Sequence, residues 1–398
     1  MTLLILTALV IAAYFVLARR QVKKHHALIG TIKTRVHVNG IRGKSSVTRL
    51  IAAALREGEL SVLAKTTGTA ARIITDHTVE APVVRKEPDI AEQRKVLHQH
   101  IPDGNYDAVV FECMAINPIY QRYLESKIMQ SSIGVITNIR EDHTDALGKT
   151  LPEIARSLSA TIPTNGHLVT AETDEELLGV LADECQKRGT KLHAVGDMRI
   201  AAKHIAKFGH FEYKENVAIA IMVARLLKIK RRTALAGMYK ALPDPGAFAL
   251  KEVAAAKESK LQWANLFAIN DRESFVLTVD SLHKQAGEGT KKAVILNNRH
   301  DRPERVSQFV DICLRQVKAD YIFTFGDYET QVAAEVKRAG AANVKVVRLG
   351  NSTDFKDASG DALLGEIITE LDGNSAILYG AVNIHTPQAQ AILKVLEA

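Results

Sequence analysis

The sequence predicts an α/β protein built on doubly wound parallel sheets, in two domains. Three observations carry that expectation. From Arg35 onward, short β-branched runs alternate with runs of helical period; a glycine-containing turn follows the first of them; and 398 residues exceed what one hydrophobic core usually serves. A hydrophobic content of 46% with 24% charged residues is that of an ordinary globular chain, which sets aside disordered and fibrous classes.

Thr2 to Ala18 contains no charged residue, and these 17 positions, at about 1.5 Å each, reach the short end of a membrane span. Arg19, Arg20, Lys23 and Lys24 follow at once. Cations after the apolar run and none before it predict a retained single-pass anchor with the remainder in the cytoplasm, rather than a cleaved signal peptide. Those four residues also supply much of the net charge of +7, so the basic balance does not point to nucleic acid. Cys113, Cys185 and Cys313 are odd in number and widely spaced, which suits reduced thiols in a cytosolic environment.

The next element is the organising one. Arg35 to Asn39 reads as a strand, and Val47, Leu50, Ile51, Ala54 and Leu55 recur at the spacing of one helix face, closed by Gly58. Between them stands Asn39-Gly40-Ile41-Arg42-Gly43-Lys44-Ser45-Ser46, a phosphate-binding loop by its chemistry. Backbone N–H groups and a helix N-terminus converge there on one anion. Lys44 is expected to reach the β and γ phosphates of ATP, and Ser45 to offer a hydroxyl to the accompanying Mg²⁺. Val38 stands where the generic motif has its first glycine.

Further predicted strands run from Ser61 to Lys65, Ala108 to Cys113, Ile133 to Ile139, His167 to Ala171 and Lys191 to Val195, interleaved with helices such as Tyr120 to Gln130 and Glu175 to Lys187. Ligands of such sheets bind at the carboxyl ends of strands, so polar residues that finish apolar strands are candidates. Glu112 ends one and is placed to share Mg²⁺ with Ser45. Lys65-Thr66-Thr67-Gly68-Thr69 ends another, and Thr67 is a candidate for the same metal or the γ phosphate. Asp142-His143 follows a third, where it either caps a helix or serves the site. Ala241-Leu242-Pro243-Asp244-Pro245-Gly246 then breaks the alternation as a hinge. A second series follows, with strands near Ala293 to Asn297, Tyr321 to Phe325, Val344 to Val347 and Ala376 to Tyr379.

Taken in order, these pieces resemble the ATP-dependent Mur ligase superfamily, and within it the ligase subunits of poly-γ-glutamate synthases of the CapB/PgsB type. The resemblance rests on Val38 to Ser45, Lys65 to Arg72, Phe111 to Pro118, Glu141 to Asp145, Ala160 to Val169, Pro243 to Ala247, Asn297 to Arg302 and Tyr379 to His385. It implies a transmembrane anchor over 1–18, a basic juxtamembrane linker over 19–33, an ATP-binding Mur-ligase-like central domain over 34–245 and a smaller Rossmann-like ligase domain over 246–398.

The resemblance also implies a reaction and its residues. A glutamyl carboxylate is phosphorylated by ATP, and the amine of another glutamate displaces the phosphate. Lys44, Glu112 and His143 would be catalytic, with His143 on a second metal or on the substrate side. Asn216, near the start of a helix, would lie by the adenine, although from the residues alone it equally caps that helix. Asp271 would contact ribose, and Arg299, Asp301 and Arg302 would bind ATP from the second domain. Expected partners are glutamate and the growing polymer, the membrane, small integral-membrane synthesis and export subunits, and further copies of the chain. The alternatives are a folylpolyglutamate synthase-like ligase and a non-ligating ATP-binding scaffold. Three departures stand out: Arg156 and Ser157 occupy the region where cell-wall ligases carry a carbamylated lysine, Pro-Gly is followed by Ala247, and Asp271 is followed by Arg272-Glu273-Ser274.

Overall fold

The computed structural model describes the chain apart from residues 1, 68–70, 77–78, 85–88, 103, 209–211, 244–249, 254–258, 268, 270–271, 285, 288, 302, 351–358, 382–385 and 398. The chain divides into two compact units, Met1–Ala247 and Phe248–Ala398.

The first unit opens with α1 (Thr2–Gly30). The segment 19–33, read above as a linker, is helical as far as Gly30, because no glycine or proline interrupts it earlier. Within α1, Ile5–Gly30 is long and apolar enough to cross a membrane. Its outer part is exposed, whereas Ile29 is 1% exposed and packs with Val96, Leu97, Phe111 and Ile128.

Eight strands form the sheet of this unit among the described residues: β1 (Thr34–Asn39), β2 (Val62–Lys65), β3 (Arg72–Ile74), β4 (Glu80–Pro82), β5 (Ala108–Glu112), β6 (Ile133–Ile136), β7 (His167–Thr170) and β8 (Lys191–Ala194). Their order is β4-β3-β2-β5-β1-β6-β7-β8. All neighbours are parallel except β2 with β3 and β3 with β4. The antiparallel edge was not expected, since three-residue strands carry too little periodicity to be read.

Alternation along the central strands assigns the two faces. Val36, Val38, Ala108 and Val110 join the core beneath α2 (Lys44–Glu57) and the helix Lys214–Leu226, whereas Val109 and Phe111 join the core on the other face, against Ala91–His100 and Leu124–Met129. Each fully buried Leu or Ile of α2 contributes roughly 1.5–3 kcal/mol of transfer free energy. Gly58 terminates α2 as expected.

Two predicted elements need correction. The strand expected over Ile133 to Ile139 ends at Ile136, because Thr137 and Asn138 turn their polar groups to the glycine loop. The helix expected over Tyr120 to Gln130 begins at Pro118, capped by the Asn117 side chain, and its last turns over Leu124–Met129 widen before Gln130 closes them at φ 43°.

The second unit carries β9 (Lys251–Val253), β10 (Leu261–Asn265), β11 (Lys291–Asn298), β12 (Tyr321–Gly326), β13 (Lys345–Arg348) and β14 (Ala376–Ala381). The order is β13-β12-β11-β14-β10-β9, parallel apart from β9 against β10. Trp263, Phe267, Phe323, Leu378 and Ile392 make up one of its cores. β9 and β10 were not expected. The hinge residues 244–246 lie outside the described residues.

Candidate active site

The glycine loop leaves β1 between β5 and β6, at the carboxyl edge of the sheet. Gly40 has φ 126° and Gly43 has φ 78°, both in the region that disfavours a side chain. A Cβ on Gly40 would meet the Thr137 backbone nitrogen at 2.7 Å, and one on Gly43 would meet Asn216 Oδ1 at 2.8 Å. Val38 tolerates its side chain because it is still strand, buried in the core opposite Glu112 and Val135.

The segment after β6 clasps the loop. Thr137 Oγ1 donates to the Arg42 carbonyl at 2.7 Å and Asn138 Nδ2 to the same oxygen at 3.1 Å, while Asn138 Oδ1 accepts from the Arg42 N–H at 3.1 Å. The Ile41 N–H donates to the Asn138 carbonyl at 3.3 Å, and the Ile41 side chain is buried. Lys44 lies over its own loop, its Nζ donating to the carbonyls of Gly40 at 2.8 Å and Ile41 at 3.1 Å. Burial lowers the Lys44 ammonium below its ordinary value, against the opposing pull of Glu112. An ammonium has three hydrogens, so these contacts leave one for an incoming anion.

Three predicted residues converge beside Lys44. Glu112 Oε2 accepts from Ser45 Oγ at 2.8 Å and from the Thr67 N–H at 2.8 Å. Glu112 is 3% exposed, and its backbone carbonyl accepts from Gln93 Nε2 at 2.7 Å, which fixes the strand end from the opposite direction. A buried carboxylate and a hydroxyl are hard oxygen donors, the kind that suits Mg²⁺ with phosphate and water completing the shell, and Thr67 is held beside them by its backbone N–H. Ser46 is half-buried in the first turn of α2.

The other predicted residues fall differently. The Asn39 side chain turns inward, donating to Gln121 Oε1 at 2.9 Å and Thr161 Oγ1 at 3.1 Å. His143 has φ 47° and its Nε2 lies 3.8 Å from Asp142 Oδ2, which accepts from Arg42 Nη2 at 3.2 Å. Asp142 thereby joins the glycine loop to the His143 segment. Asn216 is not the cap of its helix, a position held by Tyr213; it donates to Glu212 Oε1 at 2.7 Å and presents its oxygen to Gly43. In the second unit Arg299 holds Asp301 in a bidentate pair at 2.9 and 2.8 Å just past β11. Asp271 and Arg302 lie outside the described residues. Where a carbamylated lysine was sought, Arg156 is exposed and Ser157 Oγ donates to the Leu147 carbonyl at 2.6 Å.

Sequence reasoning missed Gln93, Gln121, Thr137 and Asn138 as parts of this arrangement, and it named Asp142 as a candidate without its pairing to Arg42. Their contacts span up to 100 residues, and no local pattern announces them.

Residues 38–242 match the Mur ligase middle domain and residues 250–398 the poly-γ-glutamate synthase CapB C-terminal domain. The chain is 35% identical over 401 residues to PGA synthase CapB of Bacillus subtilis (strain 168), covering 100% of this chain and 98% of that protein. The chain belongs to the CapB family of Mur ligases. Solved structures with the same fold include E. coli FolC in complex with DHPP and ADP, at 13% identity and a TM-score of 0.62, covering 94% of this chain and 92% of that one. Another is the bifunctional folylpolyglutamate synthase/dihydrofolate synthase of Yersinia pestis complexed with AMPPNP and Mn ion, at 14% identity and a TM-score of 0.62, covering 95% and 92%. The CapB match spans both units, whereas the folate enzymes share only the architecture.

Proposed function

We propose that this CapB-family chain is an ATP-dependent amide ligase that polymerises glutamate into poly-γ-glutamate. The observation that carries the site assignment is the meeting of Ser45, Thr67 and Glu112 at the mouth of the glycine loop. A carboxylate is a poor electrophile, so the terminal glutamyl carboxylate first attacks the γ phosphorus of ATP. An acyl phosphate forms and ADP leaves. The amine of the next glutamate adds to the acyl carbon and inorganic phosphate departs, so one amide forms for each ATP converted to ADP and phosphate.

The chain's own groups supply position and charge neutralisation, which dominate phosphoryl transfer. The N–H groups of the loop and of the first turn of α2 receive the phosphates. Lys44 exchanges its bonds to the Gly40 and Ile41 carbonyls for phosphate oxygens. Ser45, Glu112 and Thr67 would hold Mg²⁺, and bound there the ion would neutralise charge on the transferring phosphoryl group. Asn216 braces Gly43 beside the nucleotide. We further read His143 as facing the substrate side, and Arg299, Asp301, Arg302 and Asp271 as the second unit's contribution to ATP.

Residues 2–18 are read as a membrane anchor that holds the ligase at the cytoplasmic surface, alongside small integral-membrane partners through which a long polyanion would leave. The test is incorporation of labelled glutamate into acid-insoluble polymer by membranes containing the chain. ATP-dependent polymer that disappears with Lys44→Ala is expected. ATP turnover without amide product, with partners supplied, would refute the ligase reading; addition of a few glutamates to a folate acceptor alone would favour the folylpolyglutamate synthase-like alternative.

A further inference from the structure

Lys228-Ile229-Lys230-Arg231-Arg232 places four cations in five residues. All four are exposed, and among the described residues none of them meets a carboxylate in an ion pair. Arg231 Nη2 donates to the Arg199 carbonyl, a contact that leaves its charge uncompensated. The adjoining turn at Gly58 carries one carboxylate, Glu59, and Glu57 before it is taken up by Lys240 at 2.6 Å, so the cluster stays net positive.

Its place in the fold gives the charge a direction. The helix Lys214–Leu226 starts at the carboxyl edge of the sheet, where Asn216 meets Gly43, and runs to the opposite edge, where Ile229 packs on Gly58 at the end of α2. Three residues after α1, β1 begins at that same amino edge. The last turns of α1 are held at the same edge: His25 Nε2 lies 2.8 Å from the Ile128 carbonyl, and His26 is bonded to Gln130, whose own carbonyl accepts from Arg35 at the start of β1. The cluster and the exit of the apolar helix therefore share the edge opposite the glycine loop.

We propose that Lys228, Lys230, Arg231 and Arg232 form a docking surface for anionic phospholipid headgroups of the bilayer. This rests on reading residues 2–18 as membrane-spanning. With Arg19, Arg20, Lys23 and Lys24 it supplies a second, separate point of contact, and two points fix the orientation of the first unit where one helix leaves it free to tilt. The glycine loop then faces away from the membrane. Polybasic segments beside a spanning helix bind anionic leaflets at about fivefold per cation, within a Debye length of the surface.

The test uses the full chain in nanodiscs of phosphatidylcholine alone or mixed with phosphatidylglycerol, with amine labelling of individual lysines read by mass spectrometry. Labelling of Lys228 and Lys230 should fall about threefold or more in the anionic discs and recover in high salt, while Lys214, at the far end of the same helix, stays unchanged. Arg231→Gln with Arg232→Gln should weaken that protection. Equal labelling in both discs, or undiminished protection in the double variant, would overturn the surface. Protection by inorganic phosphate in detergent equal to that of the anionic discs would make it a free-phosphate site. Protection by poly-γ-glutamate in phosphatidylcholine discs but none from phosphatidylglycerol would reassign it to the polymer. A chain that fails to enter discs of either composition would instead refute the anchor.

Discussion

Ser45 and Glu112, 67 residues apart in the chain, meet through a 2.8 Å hydrogen bond that joins the first turn of α2 to the end of β5. Because the same carboxylate oxygen also takes the Thr67 N–H, one atom of Glu112 gathers two strand ends and the start of a helix at the glycine loop. Glu112→Gln keeps the size of the side chain and removes its charge. Polymer synthesis should fall by about 10²–10³-fold with the melting temperature nearly unchanged, measured as ATP-dependent glutamate incorporation and by thermal unfolding.

Gly43→Ala should both strain and crowd the loop. Its φ of 78° costs an alanine on the order of 1–2 kcal/mol, and the new methyl would press on Asn216 Oδ1. Adding Asn216→Ala removes the crowding and leaves the dihedral strain, so urea unfolding should show partial recovery of stability in the double variant. Full recovery would mean the backbone angle is not the constraint.

Asp142 separates two functions when it is replaced in two ways. Its Oδ1 accepts the His143 N–H at 2.8 Å, which supports the left-handed residue, and its Oδ2 pairs with Arg42. Asp142→Asn can keep the turn and loses the ion pair; Asp142→Ala loses both. Alanine should cost about 0.5–1.5 kcal/mol more stability than asparagine. A rise in KM for ATP common to both variants would assign the Arg42 pair to nucleotide positioning.

His37 predicts a pH dependence. Burial alone would lower its pKa, but the Cys113 sulfur and the Glu125 carboxylate, 2.8 Å from Nδ1, outweigh it and raise the value to about 10. The folded value lies above the ordinary 6.5, so the protonated ring stabilises the fold in full below pH 6.5. That contribution is lost as pH rises through about 10. Denaturation midpoints should fall between neutral pH and pH 10, and His37→Gln should flatten the fall. Glu125→Gln should destabilise by roughly 3–5 kcal/mol, since it strands a buried cation.

The strand, glycine loop and helix were legible because everything that defines them is local: a β-branched run, two glycines, Lys-Ser and a helical period within about 25 residues. Glu112 was legible as a charge finishing a buried strand. Gln93 and Thr137 were not, since an amide or hydroxyl acquires meaning only once tertiary packing brings its partner close. The Asn39 side chain shows the converse: motif position assigned it to ATP, while its alternation along β1 directs its amide to Gln121 on the back of the sheet. The short strands β3, β4, β9 and β10 escaped for want of period, each being an edge or near-edge strand of three to five residues.

The burial of Ile29 among Phe111, Leu97 and Ile128 gives the amino-terminal helix a second task. Its outer turns can be trimmed without opening the protein, but its last two are a wall of the same core that seats β5 and hence Glu112. A water-soluble version of the enzyme should therefore keep the chain from just before His25 onward. One cut at Thr34, where the first strand begins, would strip Ile29 and Ile32 from Phe111 and leave the Glu112 carboxylate on a strand with one side unroofed.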